Sequence, residues 1–133
     1  MANVAAYQEA GSFFKGEVKH VKMVYDFAED AGAIGVLTLG TLKDKVLLKQ
    51  AIVHVEEAVT SAGAPTVDIG FTGGDVDFFC AAQLKGALVE DAVINETTNV
   101  PVVIADETAI QMEIKVAALT AGKIALHLWY VSL

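Results

Sequence analysis

The chain has 133 residues, 54% of them in the AVILMFWYC set and 20% charged, which fits one domain able to bury roughly two-thirds of its unfolded surface. Nine lysines, no arginine and 17 carboxylates leave a net charge of −8 at pH 7, which excludes nucleic acid and anionic membrane faces as partners, since both demand clustered cations. A single cysteine, Cys80, rules out an internal disulfide, and Met1-Ala2-Asn3-Val4 carries no basic and apolar leader, so synthesis in a cytoplasm is expected.

Residues 1–16 sustain no period of 2 or 3.6 and hold Gly11, Ser12, Gly16 and the pair Phe13-Phe14. They read as an N-terminal arm ahead of one domain, 17–133. Tyr7, Phe13 and Phe14 are its candidate contact residues, because aromatic rings on a loose tail are costly unless a neighbour covers them. From Glu17 the pattern alternates: Val21, Met23, Tyr25 and Phe27 fall on one side, His20, Lys22, Val24 and Asp26 on the other, the period of a strand. Glu29-Asp30-Ala31-Gly32 is a turn, Ala33 to Leu39 an apolar strand closed by Gly40, and Thr41 to Lys45 a polar connection. Val46 to Thr60 suits a helix or a strand. Its β-branched Ile52, Val53, Val55, Val59 and Thr60 favour the strand, with Ala51, Val53 and Val55 facing in.

Ser61 to Pro65 turns the chain into a strand at Thr66 to Phe71, where Val67, Ile69 and Phe71 face one way and Asp68 and Gly70 the other. After the corner Thr72-Gly73-Gly74-Asp75, residues Val76 to Leu84 do not alternate, and they read as a short helix or crossover capped by Asp75. Val100 to Ile104 is a short strand whose Pro101 suits an edge. Near the end, Ile110, Met112, Ile114 and Val116 alternate with polar Gln111, Glu113 and Lys115. Then Ile124, Leu126, Leu128 and Tyr130 alternate with Ala125, His127, Trp129 and Val131. The two runs flank a turn at Thr120 to Lys123 and read as a terminal hairpin. Seven or eight short strands spaced by turns predict an all-β fold, a jelly-roll-like antiparallel β-sandwich with an N-terminal arm and one short helix or crossover.

Little in the chain points to chemistry. His20, His54 and His127 each sit on the polar face of a different strand, and they meet only if those strands are neighbours in one sheet; the expectation is solvated or interface histidines and no metal or other cofactor. Cys80 lies in a hydrophobic run and reads as a buried structural thiol. Gly73 to Asp77 lacks the Lys-Ser/Thr of a phosphate loop and the spacing of an EF-hand, so a turn is expected, with a weak Ca²⁺ site at Asp75 and Asp77 as the alternative. Glu56-Glu57, Glu90-Asp91 and Asp106-Glu107 are adjacent carboxylates that strand geometry separates. No G-x-S-x-G, H-E-x-x-H or C-x-x-C occurs, and no enzyme is expected.

Val24 to Gly35 (VYDFAEDAGAIG), Val67 to Asp75 (VDIGFTGGD) with the apolar Phe78, Phe79 and Ala81, and the ending Ala117 to Ile124 (AALTAGKI) with its aromatic strand resemble small virion proteins of tailed bacteriophages. The resemblance runs from about Val21 to Tyr130. It implies a structural, non-enzymatic virion role of the capsid decoration (cement) type, on the capsid surface and bound to a major capsid protein. Head-fibre and tail parts belong to the same group, so a carbohydrate-binding receptor module is the alternative, with a cupin-type metal enzyme behind it. The apolar excess adds a homo-oligomer, trimer ahead of dimer. On this reading Tyr7, Phe13, Phe14, Trp129 and Tyr130 are the expected capsid or oligomer contacts.

Overall fold

A computed structural model describes residues 17–43 and 45–133. In chain order they form β1 (Val18–Asp26), a single helical turn α1 (Phe27–Asp30), β2 (Gly35–Leu42), β3 (Val46–Thr60), β4 (Thr66–Phe71), β5 (Cys80–Leu84), β6 (Val93–Glu96), β7 (Val102–Ile104), β8 (Thr108–Lys115) and β9 (Ala121–Ser132), with one 3₁₀ turn at Lys85–Ala87. The strands divide into two antiparallel sheets. The larger runs β1-β9-β3, and both β6 and β7 pair with the far edge of β3; the smaller runs β2-β8-β4-β5. The expected all-β, jelly-roll-like sandwich is therefore the fold.

Alternation decides what lies between the sheets. Met23 and Tyr25 of β1, Ala51, Val53 and Val55 of β3, and Ile124, Leu126 and Leu128 of β9 are buried from one side, and Val67, Ile69, Ile110, Met112 and Ile114 meet them from the other. Each large side chain removed from water there contributes about 1.5–3 kcal/mol. The ambiguous Val46 to Thr60 segment is a strand throughout, as its β-branched residues suggest. Asp26 caps α1, its Oδ1 accepting from the Ala28 amide at 3.0 Å. Tyr25, fully buried, donates its hydroxyl proton to the Ala31 carbonyl at 2.6 Å and ties that turn to the core.

Several local expectations are corrected. The terminal hairpin does not form, because β8 lies in the small sheet between β2 and β4 while β9 lies in the large sheet between β1 and β3. Val116, expected inside, takes φ +75° and is 72% exposed, so the chain leaves the small sheet there. The connection is then pinned across the sandwich by Leu119 N–H donating to the Gly32 carbonyl and Thr120 N–H to the Thr60 carbonyl, each at 2.8 Å. No helix forms at 76–84: a turn leads straight into β5, and Asp75 Oδ1 accepts from the Asp77 amide at 3.3 Å within that turn. The rings of Phe71, Phe78 and Phe79 cluster with centroids 4.8 to 5.1 Å apart, folding the loop back over β4. Consequently both faces of β4 are covered. Asp68 is buried, accepts from the Ala82 amide and pairs with Lys115 at 2.5 Å. Gly70 has no room for a Cβ beneath the backbone of Asp75 and Val76. Strand β2 runs on past Gly40 to buried Leu42, a bulge at Leu39 having switched its faces. Gln111 is buried rather than wet, and its Oε1 accepts from the Thr72 hydroxyl at 3.1 Å.

Candidate functional site

The topology brings together what the sequence keeps apart. Because β9 is flanked by β1 and β3, the outward positions of three strands form one surface. Across β1 and β9, His20 stands opposite Trp129 and Lys22 opposite His127. Across β9 and β3, His127 stands opposite Ile52 and Ala125 opposite His54. The three histidines thus meet, the condition their polar-face placement demanded. Trp129 and Tyr130, expected together as contacts, separate: Trp129 is half-buried beside His20, ring centroids 4.8 Å apart, whereas Tyr130 packs against the core. Tyr7, Phe13 and Phe14, with the whole arm 1–16, lie outside the described residues.

Contacts on this face are specific. His20 Nε2 and His127 Nδ1 lie 2.9 Å apart and share a proton in a hydrogen bond, the rings stacked at 5.1 Å. His54 Nε2 lies 3.1 Å from Asp91 Oδ1. Glu56, next outward on β3, takes Lys22 at 2.6 Å on Oε2 and Lys123 at 3.8 Å on Oε1. One nitrogen of His54, one of His127 and one oxygen of Glu56 fall within 4.8 Å of one another. Burial, then the neighbouring His20 and Lys22, pushes the His127 imidazole below the usual histidine range. The hydrogen bond from Lys22 holds the Glu56 carboxyl below the usual carboxylate range. A register shift between Val55 and Glu57 breaks the alternation, so Glu56 and Glu57 both stay outside the core, against the expectation that they face opposite ways.

Cys80 and the turn at Asp75 and Asp77 belong to the smaller sheet and its β4–β5 connection, away from this face. Cys80 is buried, its thiol donating to the Val67 carbonyl at 3.5 Å and pushed up to about 12 by burial; this is the inert thiol expected from its setting. The hydrogen bond with Asp75, then the nearby negative charge, raises the Asp77 carboxyl above the usual carboxylate range. No helix of the described residues is long and apolar enough to cross a membrane.

The chain shares its fold with chains of three phage capsids. One, from the capsid of Ralstonia phage GP4, is 22% identical with a TM-score of 0.62, covering 89% of this chain and 86% of that one. A chain of the acidic stable capsid of Helicobacter pylori bacteriophage KHP30 is 15% identical at a TM-score of 0.63, covering 86% of each. A chain of the cyanophage Pam1 capsid asymmetric unit is 16% identical at 0.66, covering 89% of this chain and 86% of that one. No protein-family model matches the sequence, and no curated relative does. At these identities the likeness rests on the path of the chain. The residues of the histidine face belong to this sequence on their own evidence.

Sequence reasoning placed each histidine on an outward face but missed the cluster. The available signal was the alternation itself, which fixes facing within a strand. Strand order, which sets neighbours, is a long-range property that no local pattern carries.

Proposed function

We propose that this chain is a structural, non-enzymatic component of a phage virion, carried on the capsid surface as a decoration subunit bound to the major capsid protein. The observation that carries the reading is a fold shared over nearly the whole domain with chains from three phage capsids. Physical features support it. Val18, Ile34, Val36, Val93 and Val103 are all close to half exposed or more, apolar surface that association would remove from water. A small homo-oligomer, trimer before dimer, would cover part of it, and repeated weak contacts on a symmetric lattice add up to firm attachment. The arm 1–16 would act as the clamp. The receptor-binding alternative gains nothing from its aromatic pair, since Trp129 and Tyr130 do not share a platform.

The test uses purified particles and the isolated chain. In gradient-purified virions the protein is expected in a fixed ratio to the major capsid protein, and added to shells lacking it the protein co-sediments with them. Removing residues 1–16 is expected to abolish co-sedimentation while the β circular dichroism persists. Absence from virions, or glycan binding without shell binding, defeats the proposal.

A further inference from the structure

We propose that His54, Glu56 and His127 form a binding site for a first-row transition-metal dication, zinc foremost, on the outer face of the large sheet.

Two imidazoles and one carboxylate make a donor set that zinc uses, and its mixed N/O character selects zinc, cobalt, nickel or copper over magnesium and calcium. The three donor atoms already lie within 4.8 Å of one another. Tetrahedral zinc with bonds near 2.0–2.1 Å wants donors about 3.4 Å apart, so each side chain closes in by roughly an ångström or less, within the reach of half-exposed rotamers. The floor of the site is suited to this. Ala125 stands opposite His54 and between His127 and Lys123 along β9. Its small side chain leaves space above it, yet it is 0% exposed although it points outward, so the surrounding side chains already lean over it.

The outer shell has the form that metal sites use. A ligating histidine usually gives its second nitrogen to a carboxylate or another hydrogen-bond partner, which fixes the ring. Here Asp91 engages Nε2 of His54 and His20 engages Nδ1 of His127. Each imidazole therefore keeps its other nitrogen outside those contacts. His20 and Asp91 are positioning residues in this arrangement. Lys22 is the competitor: it holds Glu56 at 2.6 Å while its own side chain is 43% exposed. An arriving dication takes the carboxylate from Lys22, which swings into solvent. Three protein ligands leave the remaining coordination position to water, the pattern of an open site.

The experiment is titration of the tag-free, chelator-stripped full-length chain with Co²⁺, read by visible d–d absorption, followed by Zn²⁺ competition. One equivalent is expected to saturate, with band intensity typical of four- or five-coordination, and Zn²⁺ is expected to abolish the bands. His54→Ala, His127→Ala and Glu56→Gln should each weaken binding by at least about a hundredfold, and His20→Ala and Asp91→Ala by about tenfold to a hundredfold. Lys22→Ala should tighten binding several-fold, a gain that a generally destabilised surface would not produce. All six positions lie outside the core, and unchanged circular dichroism checks the fold of each variant. No saturable binding, six-coordinate aquo-like spectra only, or binding that survives His54→Ala and His127→Ala together overturns the proposal.

Discussion

Leu128 and His127 are neighbours on β9 that face opposite ways, and replacing each by alanine measures how sharply the sandwich divides inside from outside. Leu128 is 0% exposed, lies on the central strand of the large sheet and pairs across to Val21 and Ala51. With β1 on one side and β3 on the other, the backbone has little freedom to collapse into the space a missing isobutyl group leaves. A cost of about 3 kcal/mol is therefore expected, toward the lower-middle of the range for buried leucine truncations. For a chain of this length each kcal/mol moves the midpoint by about 4 °C, so Leu128→Ala should lower Tm by about 12 °C. His127 loses one hydrogen bond and some ring contact on a half-exposed face, so His127→Ala should cost about 1 kcal/mol or less and move Tm by about 4 °C at most. Thermal unfolding followed by circular dichroism, in buffer containing a chelator, compares the two directly. Equal losses, or a larger loss for His127→Ala, would refute the facing of β9 and with it the register on which the histidine face depends.

Gly122 has φ +136°, and a Cβ there would meet Val59 Cγ2 at 2.9 Å, so Gly122→Ala should cost about 1–3 kcal/mol, visible as a lower urea midpoint at unchanged m; a neutral outcome would contradict the backbone conformation. Burial pushes the Tyr25 hydroxyl, like the Cys80 thiol, up to about 12. Both groups hold their protons more tightly folded than unfolded, so the unfolded chain binds fewer protons above about pH 9 and stability falls as pH rises from there toward 12. Denaturation curves at pH 8 and pH 10.5 check this, and Tyr25→Phe with Cys80→Ala should flatten the difference. Cys80 should also resist a thiol-specific disulfide reagent in the native chain at pH 8 and react fully in guanidinium; rapid native labelling would show that the thiol is open to solvent.

The strands themselves were largely legible. Thr66–Phe71 falls where its alternation puts it, and β3 follows its β-branched residues over all fifteen positions. Misreadings gather where a long-range contact overrides a local pattern. The runs ending in Lys115 and starting at Ala121 look like a hairpin because each alternates and a turn lies between them, yet alternation specifies which face is buried and says nothing about which strand is the partner. Val76–Leu84 lacks a period because Phe78 and Phe79 are used to cover β4, a tertiary role that imitates the irregularity of a crossover. Leu39 and the bulge around it hid the true end of β2. For the candidate site, the polar faces of His20, His54 and His127 were readable one at a time. Lys22, Glu56 and Asp91 became part of the same cluster only once β1, β9 and β3 stood side by side.

The route of the chain between its sheets has a mechanical consequence. Among the described residues, β4–β5 is the one connection that joins hydrogen-bonded neighbours; β1 to β2, β2 to β3, β3 to β4, β5 to β6, β7 to β8 and β8 to β9 all pass from one layer to the other. Such lacing makes most contacts distant in sequence, so folding is slow, on the millisecond-to-second scale of sandwiches rather than the microseconds of helical bundles. It also means that neither layer can be peeled off alone. Both ends of the laced body lie in the larger layer, β1 at its edge and β9 between β1 and β3, so a tug on the amino end loads the β1–β9 pairing first and reaches the smaller layer only after that strand has parted.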